Sequence, residues 1–164
     1  MNRVSFSAIV ASCLAVGLVQ AVDPPLQKEG LWSLHTLSVD NPGEVKSETT
    51  RTICRSHEYD KYAQNAARNL QGCKVVNESL SDGKLSIEME CNAGGSVIKS
   101  QGTTTFQGDT AFHSETHATY DPPLYGKTET TLTMDQKYIG ACPAGVKPGD
   151  ITGPDGKVIN SWKR

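Results

Sequence analysis

The sequence predicts a mainly β domain: a curled antiparallel meander or half-barrel, with one helix inserted after its second strand. Three observations predict it. Runs rich in Thr, Val and Ile recur at about ten-residue intervals, joined by Gly-Asp and Gly-Gly turns. One stretch only, beginning at Ser56, spaces its apolar residues as a helix does. Finally, Cys73 to Cys91 reads as a β-hairpin with a cysteine at each outer end.

In chain order, Asp23-Pro24-Pro25 is a stiff leader that cannot enter a sheet interior. Gly30 to Ser38 begins the domain as a strand, with Leu31, Ser33, His35 and Leu37 on one face and Trp32, Leu34 and Thr36 on the other. Asn41-Pro42-Gly43 makes a turn, and Glu44 to Ile53 a second, polar strand that ends at Cys54. Ser56 is an N-cap followed by acidic residues. Tyr59, Tyr62, Ala63, Ala66, Ala67 and Leu70 then mark a helix of about 13 residues that Gly72 ends.

The hairpin follows. With Ser81, Asp82 and Gly83 as a three-residue loop, Leu80 faces Lys84, and counting outward sets Cys73 opposite Cys91. Asn92 to Gly95 is a turn, Ser96 to Phe106 a strand, Gln107-Gly108-Asp109 a turn, and Thr110 to Thr119 another strand. Tyr120 to Gly126 reads as a loop, and Lys127 to Ile139 as the last long strand. Beyond Cys142, residues 143–164 are rich in Pro and Gly. They are expected to form either an Ile151–Ile159 hairpin around Pro154-Asp155-Gly156 or a poorly ordered tail.

The amino-terminal segment gives an address. Arg3 precedes an apolar run from Val4 to Val19, and Val19-Gln20-Ala21 places small residues for cleavage after Ala21, as in a secretory signal peptide. The run is short for a membrane span and carries Ser5, Ser7 and Ser12. Lipidation at Cys13 is disfavoured, because the apolar run continues through Leu14 to Val19. The expectation is a periplasmic or secreted protein with no membrane span after cleavage. Its parts are 1–21 as signal, 22–142 as the β-rich domain and 143–164 as hairpin or tail.

Removing that segment leaves 143 residues, one domain, with 15 basic and 18 acidic side chains. A net charge of −3 with no basic patch argues against nucleic acid as a partner. Cys54, Cys73, Cys91 and Cys142 remain, an even number, and four cysteines allow three connectivities. The hairpin favours Cys73–Cys91 and leaves Cys54–Cys142. The shorter loop contributes roughly 3 kcal/mol and the longer up to roughly 4–5 kcal/mol. A zinc site is the competing reading, but spacings of 19, 18 and 51 with no C-x-x-C pair fit no zinc template.

Candidate chemistry is sparse. His113, Glu115 and His117 share a strand face, and two imidazoles with a carboxylate suit zinc or copper. However, His113 and His117 lie about 13 Å apart along an extended strand, too far for one ion without a bulge. A solvated polar face explains them better. Glu88 and Glu90 form a carboxylate pair about 7 Å apart, able to serve acid–base or cation chemistry, but equally an exposed hairpin face. Disulfide pairing leaves no thiolate for catalysis. No nucleophile elbow or phosphate-binding glycine loop appears, so no cofactor is expected. Tyr120 and Tyr125 flank Pro122-Pro123 and would suit a cavity mouth.

Several short motifs, in order, carry a resemblance. They are Gly30-Leu31-Trp32, Cys54 before a helix, Cys73-Lys74-Val75, Met89-Glu90-Cys91, Gly108-Asp109 between Thr-rich strands, and Gly140-Ala141-Cys142. Across about residues 28–142 the chain resembles a bacterial family of exported proteins, domain-of-unknown-function family 3617. The resemblance implies a Gram-negative envelope or secreted location and a compact β-rich domain, and it brings no activity. Leu34-His35 departs from the acidic or Thr-rich positions that members often carry there.

The expected function is therefore a non-enzymatic envelope module that binds a small apolar ligand or a partner protein. The alternative is a periplasmic enzyme or metal-handling protein using Glu88 and Glu90 or His113 and His117.

Overall fold

The computed structural model describes residues 22–162; the expected signal segment, with Cys13, lies outside the described residues. In order, the elements are β1 (Gly30–Asn41), β2 (Val45–Arg55), α1 (His57–Arg68), β3 (Cys73–Ser81), β4 (Lys84–Ala93), β5 (Ser96–Gln107), β6 (Ala111–Leu124), β7 (Lys127–Gly140), β8 (Asp150–Thr152) and β9 (Val158–Asn160). The strands form one sheet in the order β3-β4-β5-β6-β7-β1-β2-β8-β9. All pairings are antiparallel. From β3 to β7 this is a meander, and the β1-β2 hairpin joins it through β7. The sheet does not close into a barrel, and β3 and β9 are its two edges.

Strand alternation sorts the two faces. Ile53 and Tyr138 pair across Trp32 on one face, and the row continues through Gln136, Phe112 and Phe106. The helix covers this apolar face. Ser56 caps it by accepting from the Tyr59 amide at 3.2 Å, and Tyr59, Tyr62 and Ala63 pack on Trp32, Ile53 and Leu34. The helix ends at Arg68, so Leu70 falls outside it and is exposed. The centre is small. Among the described residues the buried hydrophobics are Trp32, Ile53, Cys54 and Tyr59.

Two expected details change. First, the β3-β4 turn is not three residues long: Ser81 faces Lys84, leaving Asp82-Gly83 alone at the tip. Both have positive φ, 51° and 72°, which is a type I′ turn whose twist matches the flanking strands. That shift would misalign the cysteines by one residue, but Val76 bulges between Val75 and Asn77 and restores the register, so Cys73 faces Cys91. Second, the expected loop from Tyr120 to Gly126 is mostly strand. β6 runs on to Leu124, with Pro122 and Pro123 accommodated where its pairing with β7 is interrupted between Thr119 and Leu124.

Two disulfides tie these parts together. Cys73–Cys91 clamps the edge hairpin at a Cα separation of 3.9 Å. Cys54–Cys142 joins the end of β2 to the segment after β7 at 5.6 Å. The Pro/Gly-rich segment folds as the β8-β9 hairpin, with Ile151 opposite Ile159, and β8 extends the sheet beside β2. Trp162 then returns to Tyr59 and Tyr62, with ring centroids 5.9 and 6.3 Å away.

Candidate functional site: a cavity under the amino-terminal leader

The leader is pinned across the apolar face rather than left loose. Lys28 donates its amide to Asp109 in the β5-β6 turn at 2.8 Å, and its carbonyl accepts from Trp32 Nε1 at 2.9 Å. His57 Nε2 donates to the Gln27 carbonyl at 2.9 Å, which fixes the imidazole tautomer at that nitrogen. At the other end, Arg68 donates to the Val22 carbonyl. Two prolines between these pins stiffen the span.

Between leader, helix and sheet lies a cavity of about 650 Å³, within the range of small-molecule sites. Pro24, Pro25 and Leu26 line it from the leader; Leu85, Phe106 and Phe112 line it from the sheet. Its polar groups are fixed. Arg55 lies 4.7 Å over the Trp32 ring and 5.2 Å over Phe112, its Nε donates to Asp60 at 2.8 Å, and its Nη1 reaches Gln136 at 3.3 Å. Lys61 and Gln64 stand at the helix side. Gln27 is buried; its Nε2 donates to the Pro25 carbonyl at 3.1 Å, while its Oε1 has no hydrogen-bond donor. Such an orphaned acceptor, closed off from the cavity, costs about 1–3 kcal/mol.

The residues singled out from sequence lie elsewhere, mostly on the opposite face. His113 Nδ1 bonds Asp135 at 2.7 Å, His117 is 3.7 Å from Glu129, and Glu115 stands between them along the strand. All three line an open, largely polar hollow with Lys84, Gln101 and Thr103. The His113 imidazole is thus held by a carboxylate of β7, and that of His117 stands near another. Among the described residues no group of three or more His, Cys, Asp or Glu is placed to hold a metal. Glu90 binds Lys74 at 2.9 Å, which holds its carboxyl below the usual range, and Glu88 faces Gln101 and Asn77 on the neighbouring strands. The tyrosines divide: Tyr120 donates to Thr130 at 3.1 Å, and Tyr125 is 92 % exposed at a turn, so neither guards this cavity.

The sequence does not bring the cavity residues together, because they come from the leader and five separate elements. Arg55 and Asp60 straddle the start of the helix, and their short spacing is the one local signal of a pair. No helix of the described residues is long and apolar enough to cross a membrane. Residues 27–142 match the family described as "Protein of unknown function (DUF3617)". No curated protein matches the chain.

Proposed function

The chain belongs to the DUF3617 family, and we propose that it is an exported, non-enzymatic binding module that takes a small, mostly apolar ligand under its leader. The cavity of about 650 Å³ between Pro25, Leu26, Phe106 and Phe112 carries the reading. Apolar walls supply the drive to bind, at about 25 cal/mol per Å² of apolar surface removed from water. Arg55 supplies a cation that would orient one polar group. The chemistry fits binding better than turnover, because Arg55 is matched by Asp60 and His57 Nε2 is held by a carbonyl. An address outside the cytoplasm is supported by the signal-like segment and by the two disulfides, which persist in oxidising compartments.

Fluorescence titration with an apolar reporter dye tests the proposal, comparing the native chain with Phe112→Ser and Leu85→Asp. Saturable binding that either substitution weakens about tenfold or more is expected. No saturable binding by the native chain, or equal binding by all three, sinks the cavity reading.

A further inference from the structure

Glu78 sits on the edge strand β3 yet is the more enclosed partner of its ion pair, with its side chain only 2 % exposed. Arg68, from the last turn of α1, occupies one of its oxygens: Nη2 and Nε donate to Oε1 at 2.6 and 3.2 Å. The other oxygen, Oε2, faces the main-chain nitrogen of Val22 at 3.4 Å. Arg68 Nη2 also donates to the Val22 carbonyl. The two side chains therefore hold both polar ends of one residue, and that residue is the first after the expected cleavage point.

We propose that Glu78 and Arg68 form the receiving site for the chain's own new amino terminus. Hydrolysis of the Ala21–Val22 bond by a peptidase consumes one water, leaves a carboxylate on Ala21 and gives Val22 an α-ammonium. An amide N–H at 3.4 Å is longer than a good N–H···O bond, and it points one fixed donor. An ammonium turns freely, carries three donors and a charge, and forms the shorter, stronger charge-assisted bond to Oε2. Arg68 keeps to Oε1 and the carbonyl, so the second oxygen stays available. Since Val22 is the pin at one end of the leader, with Gln27 and Lys28 held at the other, the cut that matures the protein also tightens the strap across the cavity.

The test compares the full mature chain starting at Val22 with one that retains Ala21, each with Glu78 and with Glu78→Gln. The native terminus is expected to melt about 3–6 °C higher and to slow amide exchange over residues 23–27, with both differences lost in Glu78→Gln. Equal melting and exchange for the two termini, or a gap that survives Glu78→Gln, overturns the proposal. If Glu78→Gln does not fold, acylation of the α-amine decides: about tenfold slower labelling of native Val22 than of the terminus retaining Ala21 supports the site, and equal labelling overturns it. Protein recovered from the host with a first residue other than Val22 also overturns it. None of these readouts needs a ligand, so a failed dye titration and a failed latch are separate results.

Discussion

Arg55 Nε donates to Asp60 Oδ1 at 2.8 Å across the corner where β2 becomes α1, with both side chains about nine-tenths buried. The pair fixes the helix on the sheet and stands in the cavity wall. Because the cation also lies on Trp32 and Phe112, removing its partner leaves a charge enclosed by aromatic rings. Asp60→Ala is expected to cost about 3–5 kcal/mol in urea denaturation. Replacing both partners, as Arg55→Met with Asp60→Leu, should recover most of that loss. A single-variant cost under about 1 kcal/mol would show that the pair does not hold the helix.

The bulge at Val76 and the two-residue turn at Asp82-Gly83 compensate each other, which makes an unusual prediction about a deletion. Removing Val76 leaves Asn77 opposite Glu88 and Val75 opposite Met89, so the ladder becomes regular and Cys73 still meets Cys91. The lost side chain is half exposed, so little packing goes with it. The deletion variant should form both disulfides and remain within about 1 kcal/mol of the parent. Cys73→Ser, in contrast, should cost roughly 3 kcal/mol. Free thiols counted in denaturant, together with melting curves, check both; a free Cys91 in the deletion variant refutes the compensation.

The same hairpin shows what the sequence made legible. Its existence, its closing cysteines and the helix start at Ser56 all rest on local signals: turn residues, a cap, an even cysteine count; around Ile151 and Ile159 such signals leave hairpin and tail both open. Turn length is not legible, because one extra residue in the turn and one in the strand give the same cysteine register. The full length of β6 is hidden because Pro122-Pro123 reads as a loop, whereas an interrupted ladder tolerates it. The cavity was invisible. Leu26, Arg55, Leu85 and Phe112 become neighbours only through a sheet order that returns β1 to β7, and no local pattern encodes that.

Acid should weaken this protein through a few identified carboxylates. Asp40 accepts from Lys127 at 2.6 Å and from Thr130 at 2.6 Å, and these bonds, Lys127 first, hold its carboxyl below the ordinary range. Asp150 is lowered by the Lys147 amide and then by Asn160, each at 2.7 Å. A lowered native value means that the stabilisation is complete above the unfolded value of about 3.9 and is lost as pH falls through the native one. The partner Lys127 is raised, chiefly by its bond to Asp40, so its share is intact below its unfolded value of about 10.4 and is lost only as pH rises above its native one. Asp40→Asn with Asp150→Asn should therefore be less stable than the parent near pH 6 and converge with it as pH drops below about 3. Denaturation curves that stay parallel across that window would contradict the assignment.

Gln27 offers a separation of stability from binding. Its Oε1 is buried without a donor, and its Nε2 satisfies only the Pro25 carbonyl. Gln27→Met keeps the length and removes the unsatisfied oxygen, so the empty protein should be unchanged or gain up to about 1 kcal/mol. Loss of the Nε2 bond takes little from that gain, because the Pro25 carbonyl lies on an exposed residue and can turn to water. Binding should not follow, because Oε1 is closed off from the cavity. A probe with a hydroxyl or amide donor at one end and a purely apolar dye should each bind within about twofold of their affinity for the native chain. Melting curves and paired titrations read the two effects independently. A variant that is destabilised by more than about 1 kcal/mol would mean that Oε1 is satisfied in solution, by water inside the cavity, and the site would then be wetter than its walls suggest.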